Sequence, residues 1–159
     1  MFKLFIKGII TFFISISLTA CLSLGGLTHK QAKMLKNEGF TLTEEGWTLG
    51  LPEKLLFDFD TFNIATPQQT ELKQLSEQLL KYDLQKLKII GHTDNVGDIH
   101  YNITLSKKRA ERVKEIFIEE GFKENNIQTV GRGPSQPLVE NNSEENRAIN
   151  RRVNLIILP

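Results

Sequence analysis

From Leu55 onward the alternation of apolar and polar positions changes period several times. Leu55-Leu56-Phe57-Asp58-Phe59-Asp60 begins apolar and then alternates, which predicts a strand ending at an edge. Thr66-Pro67-Gln68-Gln69 predicts a helix start, with threonine as cap, proline at the first helical position and Gln69 at capping-box spacing. Leu72, Leu75 and Leu79 follow at helical spacing as a buried stripe. Leu87 to Gly91 reads as a second strand. Tyr101 to Glu120 reads as a second helix, with Ala110, Val113 and Phe117 on one face, Ile116 beside them and Gly121 as the stop. Ile127 to Val130 and Arg152 to Leu158 supply two more strands. The order is strand, helix, strand, helix, strand, long loop, strand: an α/β domain with helices packed on a sheet. The polar loop Pro134 to Asn150 carries no helical pattern, so the last strand is expected to run antiparallel in a mixed sheet.

Upstream the pattern is weaker. His29 to Gly39 fits a short helix with Ala32 and Leu35 on one side, and Thr41 to Gly50 carries turn signals at Gly46 and Gly50 around Trp47. Cys21 to Leu27 is small and apolar, a tether. Residues 1–20 stand apart: Lys3 and Lys7 are the only charges, an apolar run from Gly8 to Leu18 follows, and Ala20 precedes Cys21. A basic start, a short apolar core and a small residue before the break read as a secretory signal. An uncleaved membrane anchor is the alternative, because no charge falls between Lys7 and Lys30 and the stretch is long enough to span a bilayer.

Composition narrows the function. Removing Lys3 and Lys7 takes the formal net charge of this 159-residue chain from +1 to −1, which argues against a nucleic-acid footprint. Cys21 is the only cysteine, so no intramolecular disulfide can form.

The chemistry concentrates in Gly91-His92-Thr93-Asp94-Asn95-Val96-Gly97, followed by Tyr101-Asn102 and Leu105-Ser106-Lys107-Lys108-Arg109-Ala110. Asp94 falls in the loop at the carboxyl end of a strand, where open α/β sheets bind ligands. Arg109 lies on the following helix and can point back over the same mouth. A carboxylate and a guanidinium converging there suit the ammonium and the carboxylate of a zwitterion. From spacing alone, an internal Asp94–Arg109 salt bridge is an equal alternative. His92 lacks metal-ligand spacing and no cofactor is implied. His29 and His100 read as surface residues. Gly131-Arg132-Gly133-Pro134 reads as a turn rather than a phosphate loop, since Pro134 removes a donor. No nucleophile elbow and no acid/base carboxylate pair is evident, so the chain does not read as an enzyme. Arg147, Arg151 and Arg152 are expected to bond loop carbonyls and neighbouring acids.

Taken together, Phe57-x-Phe59, Gly91 to Gly97, Tyr101-Asn102, Leu105-Ser106-x-x-Arg109-Ala110, Gly131-x-Gly133-x-x-x-Pro137 and Asn150-Arg151-Arg152-Val153 resemble the OmpA-like C-terminal domain. The resemblance covers residues 55–158 in order. It implies a β-α-β-α-β-β two-layer sandwich over residues 55–159 that binds peptidoglycan noncovalently through the diaminopimelate of the stem peptide. By position, Asp94 would take the ligand ammonium and Arg109 its carboxylate, Thr93 and Asn102 would assist, and the loop around Asp60 would close the far side. Lys107-Lys108 replaces a frequent Glu-Arg pair and Ile149 a common Glu.

Leu18-Thr19-Ala20-Cys21 resembles the lipobox of bacterial lipoproteins, which implies lipidation of Cys21, and Leu22 after it implies sorting to the outer membrane with the domain facing the periplasm. Residues 21–54 would then be a lipidated tether with a short helical, partner-binding segment. Gln31 to Thr41 and Gly46 to Leu51 are similar to the YfiB group of lipoproteins, which implies a possible partner in a YfiR-like periplasmic repressor of a diguanylate cyclase. A stator-type inner-membrane protein with an uncleaved helix is the remaining alternative.

Overall fold

The computed structural model describes residues 24–57 and 62–159. Its elements follow in the order α1 (His29–Asn37), β1 (Thr41–Thr43), β2 (Gly46–Pro52), α2 (Glu53–Leu56), α3 (Thr66–Lys81), β3 (Leu87–His92), α4 (Ile99–Glu119), a 3-10 turn (Glu124–Asn126), β4 (Ile127–Gly133), α5 (Glu144–Asn150) and β5 (Arg152–Ile157). Among the described residues the sheet has five strands in the order β1-β2-β5-β3-β4. β3 and β4 are parallel, and β5 runs antiparallel to both β2 and β3, as its polar approach loop implies.

The registers sort the side chains into two faces. Trp47, Leu49, Leu51, Val153, Leu155, Ile157, Leu87 and Ile89 share one face and pack with α1, α3 and α4 into a single core cluster. Gly91 and Gly131 lie on that face beneath α4. A Cβ on Gly91 would stand 1.9 Å from the Ser106 carbonyl oxygen, and one on Gly131 would stand 2.6 Å from that of Ile103. The two glycines therefore let the helix backbone rest directly on the strands. The other face carries Lys88, Ile90, His92, Arg152, Asn154 and Ile156. Ile90 and Ile156 are nevertheless fully buried. An ion pair of 2.7 Å between Glu45, in the β1–β2 turn, and Arg132, on β4, bridges the breadth of β5 and β3.

Several boundaries differ from the sequence expectations, each for a local reason. The strand expected over 55–60 is absent in its described part: Glu53–Leu56 forms one helical turn and Phe57 makes only an isolated bridge to Ile64. Leu55 is 63% exposed while Leu56 and Phe57 are buried, so the apolar run serves a turn rather than a pleat. The strand beside β5 is Gly46–Pro52 instead, and with Thr41–Thr43 it brings the upstream segment into the sheet. Gly46 does turn the chain, at φ +120°, whereas Gly50 sits inside the strand opposite Asn154. Thr66 is the first helical residue of α3 rather than its cap. Ala65 holds the cap position, and Gln69 donates its side-chain amide to the Ile64 carbonyl at 2.7 Å. Thr28 and Gln31 form the reciprocal capping box, at α1. The 134–150 loop contains α5, capped by Ser143. His29 and His100 are exposed, as expected.

Candidate functional site

β3 carries the chain to the rim of the sheet, where residues 93–98 fold into a pinned loop. The Thr93 amide donates to the Gly133 carbonyl at 3.0 Å and its hydroxyl donates to the Asp94 carbonyl at 2.9 Å. Asp94 Oδ1 accepts the Val96 amide at 2.9 Å, a local turn of the kind aspartate favours. Asn102, buried in the first turn of α4, donates to the Val96 carbonyl at 2.8 Å. Asp98 caps α4 by accepting the Tyr101 amide at 2.8 Å. The loop is thus fixed at both ends before any ligand arrives, the condition for a pre-organised site.

Arg109 reaches the same mouth from α4, which the close approach at Gly91 holds against β3. Asp94 and Arg109 are only 8% and 3% exposed. The described contacts join them through two intermediaries rather than directly. Arg109 Nη2 lies 2.5 Å from Glu53 Oε1, and its guanidinium stands 5.2 Å from the centre of the Phe57 ring. Arg151 Nη1 lies 2.6 Å from Asp94 Oδ2, its Nε 3.2 Å from Glu53 Oε2 and its Nη2 2.7 Å from Glu144 Oε1. Burial pulls the Arg151 pKa down, but its hydrogen bonds to Asp94 and Glu144 more than compensate and hold it raised. Glu144 is in turn lowered, first by its hydrogen bond from Arg151 and next by that from Arg147.

Thr93, Asp94, Asn102 and Arg109 all line one cavity of about 780 Å³, together with Glu53 and Arg151. That is a volume suited to a small-molecule or peptide end. Among the described residues, Lys54 and Glu144 add to its charged lining, which there holds three acids and three bases. A lining that offers both signs at fixed places suits a zwitterion better than a lone anion or cation. Asp60 and Cys21 lie outside the described residues.

The remaining candidates take other roles. His92 is buried, and burial first, then the nearby Arg152 and Arg132 against an opposing Glu45, pulls its pKa down to about 3. Among the described residues no group of three His, Cys, Asp or Glu is placed to hold a metal ion. Gly131 to Gly133 close β4 rather than forming the expected turn, which begins only at Pro134, where the Ser135 amide donates to the Arg132 carbonyl. Arg152 bonds the Asn150 and Gln136 carbonyls and Arg147 bonds Glu144, the roles expected of them. Arg151 enters the cavity as well as bonding acids, and Glu53 was not singled out at all. Only the Asn150-Arg151-Arg152-Val153 run pointed toward the first of these, and nothing in spacing pointed to the second.

Comparison with known proteins gives a consistent setting. The OmpA family matches residues 56–151. The outer-membrane lipoprotein YfiB of Pseudomonas aeruginosa is 38% identical over 132 residues, 83% of this chain and 79% of that one. A protein of Escherichia coli also named YfiB is 33% identical over 147 residues, 91% of this chain and 92% of that one. The crystal structure of the peptidoglycan-associated lipoprotein from Burkholderia pseudomallei has a TM-score of 0.59 at 28% identity, covering 69% of this chain and 89% of that one. The fold is the mixed two-layer sandwich of these proteins, and the chain belongs to the OmpA family.

Proposed function

We propose that this protein is an outer-membrane lipoprotein that binds peptidoglycan noncovalently through stem-peptide diaminopimelate and so ties the membrane to the cell wall. The observation that carries the reading is the convergence of Thr93, Asp94, Asn102 and Arg109 on one cavity whose described lining carries charges of both signs. The free end of diaminopimelate is a zwitterion. Its ammonium would add to Asp94 and its carboxylate to Arg109, with charge-assisted hydrogen bonds of roughly 1.5–3 kcal/mol each. Asn102 and Thr93 serve by holding the loop that aims Asp94, and Asp60 would close the far side. The domain acts by binding and not by catalysis. The names of the relatives support both the envelope setting and the lipid anchor, with Cys21 as its attachment point and residues 1–20 as the removed signal.

The decisive experiment is a pull-down of the full-length protein with purified peptidoglycan. Asp94→Ala and Arg109→Ala are each expected to abolish sedimentation with the wall while retaining the circular dichroism of the wild type. Undiminished binding by both folded variants would reject the site.

A second reading adds signalling, through capture of a YfiR-like periplasmic repressor by residues upstream of the family match. Its support is that similarity to the Pseudomonas protein extends over 132 residues, beyond the 56–151 span, and that β1 and β2 are built into the sheet. Co-purification of a periplasmic partner with the wild type, lost on deleting Thr41–Thr43, is the outcome this reading requires. Processing also separates the stator-type alternative: the mass of the mature N-terminus distinguishes a lipidated Cys21 from an uncleaved leader.

A further inference from the structure

Glu53 occupies the position from which a ligand carboxylate would address Arg109. Its Oε1 sits 2.5 Å from Arg109 Nη2 and its Oε2 3.2 Å from Arg151 Nε, so one carboxylate bridges two guanidiniums at the floor of the cavity. We propose that Glu53 is a built-in competitor for the incoming carboxylate, displaced from Arg109 when ligand binds, and that it thereby sets both affinity and the requirement for a free carboxylate. The proposal rests on the diaminopimelate reading above.

Three observations make the exchange physically reasonable. Glu53 keeps a cation beside it in the exchange, because its second oxygen, which accepts no hydrogen bond among the described residues, lies 3.2 Å from Arg151 Nε; leaving a buried charge without a partner is what makes breaking such pairs costly. The displaced side chain belongs to a single four-residue turn whose cap, Pro52, makes no side-chain hydrogen bond, and whose next residue, Phe57, makes only an isolated bridge. Leu56 and Phe57 anchor that turn in the core, so the Glu53 side chain at its start can swing without unwinding a longer helix. The cavity's charge also stays as it was: a zwitterion brings one charge of each sign, so the sum over the lining does not change when it enters. A ligand carrying only an ammonium gains nothing from Arg109 and leaves Glu53 in place.

The test is a calorimetric titration of the full-length protein in detergent with two probes. One is a soluble muropeptide whose stem ends in meso-diaminopimelate with a free carboxylate, and the other is the same muropeptide with that carboxylate amidated. Glu53→Gln removes the competing charge, and Glu53→Asp retracts it by one methylene. Both are expected to tighten the free-carboxylate probe, by about tenfold for Glu53→Gln, the equivalent of one lost charge-assisted contact. Neither should tighten the amidated probe. Equal gains for both probes, or weaker binding of the free-carboxylate probe, would overturn the proposal and make Glu53 a support for Arg109. A wild type that binds neither probe would overturn the diaminopimelate reading itself. A measurement on the wild type needs no substitution: the Glu53 carboxyl carbon resonance should move on adding the free-carboxylate probe and stay fixed with the amidated one. A resonance that stays fixed with both would also overturn the proposal.

Discussion

Arg151 Nη1 lies 2.6 Å from Asp94 Oδ2, a contact between residues 57 positions apart that joins the approach to β5 to the loop leaving β3. It supplies Asp94 with a cation that does not come from Arg109. Together with the Val96 amide it fixes the orientation of the Asp94 carboxylate.

Arg151→Met is expected to lower stability by about 2 kcal/mol, since three acidic partners lose a charge-assisted hydrogen bond or ion pair. Asp94→Asn should cost less in the Arg151→Met background than alone, with a coupling of roughly 0.5–3 kcal/mol. Urea denaturation of the four proteins measures the cycle. Strict additivity would show that the pair does not act as a unit.

Gly91→Ala places a methyl group against helix backbone rather than against a side chain that can turn aside. The expected loss is about 3 kcal/mol, at the upper end for overpacking. Wall binding should weaken as well, because displacement of α4 moves Arg109. Gly97→Ala is the control: a Cβ there meets nothing within 4 Å, though φ +90° leaves backbone strain. A Gly91 variant as stable as the wild type would contradict the packing described.

The pH dependence of stability carries a histidine component of definite sign. His92 has a folded pKa of about 3, against 6.5 in the unfolded chain. As pH falls below 6.5 the unfolded chain takes up a proton that the folded one refuses, so stability drops, approaching about 1.4 kcal/mol per pH unit, until pH nears 3. His92→Leu should remove this slope. The comparison belongs between pH 5.5 and 7, above the carboxylate range, and parallel stability curves for the two proteins would exclude the effect.

Cys21→Ser is expected to abolish lipid labelling and to take the protein out of the outer-membrane lipoprotein fraction. Fractionation after labelling with a radioactive fatty acid reads this directly, and unchanged incorporation would reject the lipobox.

How far the sequence could be read depended on the range of the interactions involved. α3, β3, α4 and β4 came out close to their expected spans because short periods encode them. So did the loop at Asp94, whose turn is made by its own neighbours. The upstream hairpin was missed because Gly46 and Gly50 give the same punctuation, although one turns the chain and the other passes through a strand. The reverse error at 55–60 arose because Leu55 is apolar yet exposed. Glu53 and Arg151 stayed out of view for a further reason. Glu53 meets Arg109 from 56 positions away, and an ion pair at that separation leaves no periodic trace.

Trp47, at one end of β2, has a mechanical side. Its indole Nε1 donates to the Leu24 carbonyl at 3.0 Å, fastening the incoming chain beside the Trp47–Ile157 end of the sheet. The cavity stands at the other end, where Pro52, Arg152 and His92 share a row. Five strand steps separate the two, about 17 Å. A pull between the N-terminal segment and a ligand held in the cavity would therefore run along β2 and β5. Tension in that direction would shear the ladder and load its rungs together, instead of peeling them apart one at a time.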